Sequence, residues 1–210
     1  MREGVVLVHG IWMSGLEMLP LARRLRRQGF ETRLFRYPSV RATPAANAAR
    51  LDAFLERLDW EVVHLVAHSL GGIVLLHLFD RYPVQRPGRV VMLGTPITGS
   101  RTARAYAATP LRPLLGRSLQ RGLLGDVPRW KGGRELGMIA GSRGFGVGSM
   151  PGIGLHPPHD GTVALDETRS FEIDSHLTVP FGHFSMLWSA DVAAAVAGFL
   201  KSGDFSGLNS

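Results

Sequence analysis

The segment from Val62 to Gly72 joins a β-branched apolar run to a turn with no intervening loop. It reads Val62-Val63-His64-Leu65-Val66-Ala67-His68-Ser69-Leu70-Gly71-Gly72, and Ile73 to Phe79 continues at once as an apolar stretch of helical length. A strand fed directly into a helix must turn sharply, and the residue at the apex takes a strained backbone with its side chain exposed. The flanking positions must be small because the two backbones pass close together there. Ala67, Gly71 and Gly72 meet that requirement and place Ser69 at the apex. A serine-containing turn in any parallel α/β protein is the alternative reading, and residues elsewhere in the chain decide between them.

The rest of the chain repeats the alternation. Gly4 to Val8 reads as a short buried strand, and Ser14 to Gln28 as an amphipathic helix closed by Gly29. Glu31 to Tyr37 is a second strand, ended by Pro38, and Pro44 to Leu58 a second helix. After the strand at 62–67 and its helix to about Tyr82, Arg89 to Gly94 gives a fourth strand and Leu136 to Ala140 a fifth. Leu177 to Val179 gives a last strand, Ala190 to Lys201 a closing helix, and residues 202–210 a frayed tail. Apolar runs alternating with amphipathic helices predict a mainly parallel sheet of about six strands with helices on both faces. One domain over residues 1–210 is expected, because neither repeats nor a linker divide the chain. Residues 98–135 break the alternation, being rich in Arg, Gly and Pro. They read either as a lid or substrate wall over the sheet's carboxyl edge, or as an ordinary surface helix with long loops.

Composition narrows the function classes. The chain of 210 residues has no cysteine, which excludes disulfides and thiolate metal sites and is compatible with a cytoplasmic setting. Residues 1–8 pass straight into a strand, leaving no room for a signal peptide, and no apolar run reaches the length of a transmembrane helix. The formal net charge of +7 comes largely from arginine, including Arg23, Arg24, Arg26 and Arg27 on one predicted helix. No nucleic-acid-binding motif accompanies it, so solvated arginine faces are expected. A weak attraction to acidic lipid surfaces stays open.

A serine hydroxyl needs a base to take its proton and a third group to orient that base. His183, in Gly182-His183-Phe184, falls in the loop after the last predicted strand and so returns to the sheet's carboxyl edge. His176, at the start of that strand, is the fallback. Asp160, in His159-Asp160-Gly161, follows the fifth strand and stands 23 residues before His183. Asp166 and Asp174 compete with it. His156, His159 and Asp160 as zinc ligands form a rival reading, weakened by Pro157 and Pro158 and by the lack of a fourth ligand nearby. Acyl transfer also needs donors for the developing oxyanion. The expected donors are the backbone N–H groups of Leu70, after the serine, and Ile11, in the loop after the first strand. Trp12 is the alternative donor or, better, an apolar wall of an acyl pocket. His9 and His68 are expected to support these turns by hydrogen bonding.

With these stretches in order, the chain resembles the α/β-hydrolase superfamily, and more narrowly its small bacterial lipases and esterases. The resemblance rests on Val8-His9-Gly10, Ala67-His68-Ser69-Leu70-Gly71-Gly72, His159-Asp160-Gly161 and Gly182-His183-Phe184. It implies a compact form of that fold, with nucleophile Ser69, acid Asp160, base His183, oxyanion donors Ile11 and Leu70, and no cofactor or metal. The chain begins at what would be the superfamily's third strand. A single Gly follows His9 where some esterases have several, a pattern that in the group tends to go with medium or longer acyl esters. The implied reaction is hydrolysis of a small-molecule carboxylic ester with an apolar acyl group. Thioester or amide cleavage and acyl transfer would use the same residues. A catalytically silent fold that binds an apolar ligand is the reading from another class.

Overall fold

The computed structural model describes residues 2–150 and 153–205. Six strands form one sheet: β1 (Glu3–Val8), β2 (Glu31–Phe35), β3 (Val62–His68), β4 (Val90–Leu93), β5 (Leu136–Gly141) and β6 (Ser175–Val179). Their order across the sheet is β2-β1-β3-β4-β5-β6, and every neighbouring pair is parallel. The helices are α1 (Leu19–Arg27), α2 (Pro44–Leu55), α3 (Leu70–Arg81), α4 (Arg101–Ala107), α5 (Arg112–Leu115) and α6 (Ala190–Ser202).

Successive strand side chains point to opposite faces, so one apolar run serves two cores. Val5, Leu7, Val66, Val91 and Leu93 face α1 and α6, where Leu21, Leu25, Val192 and Phe199 cover them. Val6, Val8, Leu65, Val90 and Met92 face the other way, against Leu51 and Leu55 of α2 and Leu75 and Phe79 of α3. A third cluster joins Leu70 and Ile73 of α3 to Ala103, Leu115, Leu119 and Leu123. The segment after β4 is thereby packed on the helix that begins at Ser69.

The order of the strands fixes where a site can lie. The chain steps outward from β1 to β2, then returns past β1 to β3 and continues to the other edge. The loops leaving β1 and β3 therefore part at a topological switch point, and a crevice opens between them at the carboxyl ends.

Element boundaries depart from the sequence reading where local chemistry intervenes. The first helix starts at Leu19, not Ser14, because Gly15 takes φ 96° and a 3₁₀ turn occupies Leu16–Met18. Pro20 then sits in the first turn, where its missing N–H costs nothing. β2 ends at Phe35, since the Tyr37 N–H turns to the His9 ring instead of a strand partner. α2 stops at Leu55, three residues short of Leu58. β6 begins at Ser175, two residues before Leu177, because its register against Gly137–Gly141 of β5 runs that far. The expected tail starts later than position 202, since α6 includes Ser202, and residues 206–210 lie outside the described residues.

Phe79 tests the packing of α3. It is fully buried, its ring meets Trp130 edge-on at 4.7 Å, and the Arg134 guanidinium lies 5.1 Å above it. Phe79→Ala should lower stability by about 3–5 kcal/mol. Urea unfolding checks this, with a lower midpoint expected at an unchanged slope.

Candidate active site

Ser69 lies between the last residue of β3 and the first of α3, with φ 54° and ψ −121°. For a residue with a Cβ this is a strained backbone, costing about 1–3 kcal/mol. The surroundings over-determine it. The Ser69 N–H donates to the Leu93 carbonyl at 2.8 Å, while the Ser69 carbonyl accepts from the Gly72 N–H and the Thr95 hydroxyl, both at 3.0 Å. Close approach requires the two glycines that follow. A Cβ on Gly71 would stand 2.5 Å from the Val8 carbonyl oxygen, and one on Gly72 would overlap the Thr95 side chain.

His183 and Asp160 meet beside this turn. His183 Nδ1 is 2.6 Å from Asp160 Oδ2, and both residues are buried. The other carboxylate oxygen accepts the N–H groups of Thr162 at 2.9 Å and Val163 at 2.7 Å. The Asp160 carbonyl also takes the His183 N–H at 2.8 Å, so the two residues are tied at backbone and side chain. Burial works to raise the Asp160 pKa, but the His183 imidazole and the two N–H groups outweigh it and hold the carboxyl below its ordinary value. A carboxylate only accepts, so Nδ1–H is the donor in this hydrogen bond. Gly94, at the end of β4, leaves the room this pair occupies: a Cβ there would stand 3.1 Å from both Asp160 Oδ2 and His183 Nδ1.

The competing residues are engaged elsewhere. Asp166 pairs with the Arg101 guanidinium through both oxygens, and Asp174 accepts the Leu136 N–H at 2.7 Å. His176 Nε2 lies 3.0 Å from the Thr168 hydroxyl, within β6. The His159 ring accepts the Gly161 N–H, and no group of three or more metal-ligating side chains gathers among the described residues.

In the loop after β1, the Trp12 N–H donates to Ser39 Oγ at 3.1 Å and is thereby taken. No protein acceptor takes the Ile11 or Leu70 N–H among the described hydrogen bonds. The Trp12 indole N–H donates to the Leu114 carbonyl at 2.7 Å, fastening α5 to this loop. Between them lies a cavity of about 30 Å³, lined by Ser69 together with Ile11, Trp12, Ala103, Tyr106, Leu115 and Val163. Its lining is mainly apolar and leaves room for about one water.

Two supporting histidines carry more than the sequence discloses. The His9 ring donates from Nδ1 to the Gly10 carbonyl at 2.8 Å, accepts the Tyr37 N–H and stacks on the Tyr37 ring at 4.2 Å. His68 Nε2 donates to the His183 carbonyl at 2.9 Å, and the two imidazoles lie 4.6 Å apart. His68 Nδ1 finds no hydrogen-bond partner among the described residues. Burial and the neighbouring His183 push the His68 pKa down to about 3. A spacing of 115 residues hid this contact from sequence reasoning. Its one local signal is the position of His68 beside Ser69.

The chain belongs to the alpha/beta hydrolase family, whose model matches residues 5–200. A lipase of Bacillus licheniformis, BlEst2 in its mature form, is similar in structure: TM-score 0.70, 21% identity, covering 96% of this chain and 92% of that one. A bromoperoxidase of Bacillus anthracis aligns with TM-score 0.70 at 15% identity over 96% of this chain and 93% of that one. At such identities the likeness is one of fold. A "Putative carbamate hydrolase RutD" of Pantoea ananatis is 41% identical over 59 residues, a match spanning 28% of this chain and 22% of that relative.

The neutral, buried His68 makes the fold acid-sensitive. Below about 6.5, the ordinary histidine pKa, the unfolded chain takes up a proton that folded His68 refuses until about pH 3. Stability should therefore fall as pH drops through that window. In His68→Asn the decline between pH 7 and pH 4 should be shallower, though His9, His64 and His77, also lowered by burial, keep part of it. Urea midpoints at several pH values check this, and a slope equal to that of the unsubstituted protein would contradict it.

Proposed function

We propose that the protein is a serine hydrolase acting on carboxylic esters with an apolar acyl group. The observation that carries this reading is the Asp160–His183 pair, locked at 2.6 Å beside a serine in strained left-handed geometry. His183 Nε2 would take the Ser69 proton as the hydroxyl oxygen attacks the ester carbonyl. Asp160 holds the imidazole tautomer and stabilises its charged form. The carbonyl oxygen, becoming negative, would be received by the N–H groups of Ile11 and Leu70. Protonated His183 then gives its proton to the leaving alcohol, and water activated by the same nitrogen releases the acid. The residues need no metal or cofactor for this sequence.

The mainly apolar wall around Ser69 supports an apolar acyl group, and its narrowness favours a short one unless α4 and α5 move outward. Residues 98–135 are thus read as a lid or substrate wall within one domain over residues 1–210, with Trp12 clasping its α5. No helix among the described residues is long and apolar enough to cross a membrane. The carbamate hydrolase name of the partial relative points to a neighbouring chemistry, attack on a carbonyl flanked by nitrogen. The same groups would serve it.

Initial rates on p-nitrophenyl esters of increasing chain length test the reading. Acetate and butyrate should be hydrolysed faster than long-chain esters. Ser69→Ala should lose turnover. Asp160→Asn, which keeps the shape but lets the imidazole take the wrong tautomer, should lower kcat by about 10³–10⁴-fold. Turnover unchanged in either variant would contradict the assignment.

A further inference from the structure

The N–H groups of Leu70 and Ile11, which the ester-hydrolase reading gives to the developing oxyanion, have no protein acceptor among the described hydrogen bonds. Each belongs to a rigid peptide. In a trans peptide the carbonyl and the N–H point in opposite directions within one plane, so fixing the oxygen fixes the hydrogen on the far side. The Leu70 N–H shares its peptide with the Ser69 carbonyl, and the Ile11 N–H shares its peptide with the Gly10 carbonyl. Both peptides are trans. What grips those two carbonyls therefore decides where the two donors aim.

A buried side chain grips each of them. Thr95, two residues past the end of β4, is fully buried and donates its hydroxyl to the Ser69 carbonyl at 3.0 Å. The Gly72 N–H holds the same oxygen from within α3, so Thr95 ties the peptide to a different strand. Thr95 fits against Gly72, where a Cβ would overlap its side chain. On the other peptide, His9 Nδ1 donates to the Gly10 carbonyl at 2.8 Å. The Tyr37 N–H, 3.3 Å from His9 Nε2, makes that nitrogen the acceptor and so puts the ring proton on Nδ1. Burial lowers the His9 pKa, which keeps the Nε2 lone pair available for that bond. Tyr37 also gives its hydroxyl to the His9 carbonyl at 2.7 Å and stacks on the imidazole. The neighbouring N–H groups of the loop are spent, that of Gly10 on the Met13 sulfur at 3.2 Å and that of Trp12 on Ser39.

We infer that Thr95 and His9 are positioning residues for the oxyanion site, each holding one peptide plane by its carbonyl so that the N–H on the opposite side faces the reacting oxygen. The inference deepens the ester-hydrolase reading and rests on it. Neither side chain would touch the substrate. A correctly aimed N–H gains most once the ester oxygen has become negative, so loss of the hold should lower kcat and spare KM. A side chain that merely kept the fold together would not separate the two.

The test is steady-state hydrolysis of p-nitrophenyl butyrate by the full chain, with inhibition by butylboronic acid, which adds to an activated serine oxygen as a negatively charged tetrahedral adduct. Thr95→Val keeps the shape and removes the donor, and its kcat should fall by about tenfold, less than the loss of an oxyanion donor itself. Thr95→Ser, which keeps the hydroxyl, should recover most of that. His9→Ala should lower kcat by about a hundredfold, and His9→Asn, whose amide nitrogen can take the place of Nδ1, should recover part of it. In each weakened variant KM should stay within about twofold, and the boronate inhibition constant should rise in step with the loss of kcat. Thermal unfolding establishes that each variant is folded at the assay temperature. An unchanged kcat in folded Thr95→Val or His9→Ala would overturn the assignment of that residue, as would a loss carried by KM or one that Thr95→Ser shares in full. Unsubstituted protein showing neither turnover nor boronate inhibition would overturn the ester-hydrolase reading, and this inference with it.

Discussion

The close passage of α3 over the ends of β1 and β4 sets the rest of the structure. Gly71 lets the helix backbone ride on the Val8 and His9 carbonyls, and Gly72 makes room for Thr95. With no loop to absorb the change of direction, Ser69 is forced to φ 54°, and three hydrogen bonds to its backbone hold it there. A cost of about 1–3 kcal/mol for that conformation is tolerated because two packed cores fix both flanking elements. Everything else at the site is arranged around an apex that cannot relax.

The second constraint is electrostatic. Asp160 is removed from water, which by itself would favour its neutral form, yet an imidazole and two backbone N–H groups keep it charged. Burial strengthens those interactions, since nothing competes for the carboxylate. His183 is consequently held through Nδ1. His68 adds a hold on the His183 carbonyl and, with its pKa pushed down to about 3, places no positive charge beside the imidazole proposed as the base. The fold alone does not dictate an ester as substrate: a lipase and a bromoperoxidase align with it equally well. The case for ester chemistry rests on these side chains and on the apolar wall above them.

Much of this was legible in the sequence because its signals are local. Continuous apolar runs announced strands buried on both faces, and the small-x-Ser-x-Gly turn announced the apex. The loops carrying Asp160 and His183 could be assigned to one edge from strand order alone. What stayed hidden depends on contacts between distant segments. The reach of the Trp12 indole to Leu114, across 102 positions, has no sequence signature. Nor has the hold of His68 on His183. The course of residues 98–135 was ambiguous because Arg, Gly and Pro break any period, and its packing on α3 uses only a few apolar residues. Helix and strand ends shifted for smaller reasons, such as Gly15 turning the chain before α1 and Tyr37 choosing a histidine over a strand partner.

The central claim is that the hydroxyl of Ser69 is activated by His183. A tagged fluorophosphonate, which reacts with activated serines, followed by mass spectrometry of the labelled peptides, tests it without any assumption about the substrate. The account predicts modification confined to Ser69, greatly slowed in His183→Ala and absent in Ser69→Ala. Folded protein that stays unlabelled, with dilute detergent present to loosen the wall over the cavity, would contradict it. So would labelling that proceeds equally well without His183.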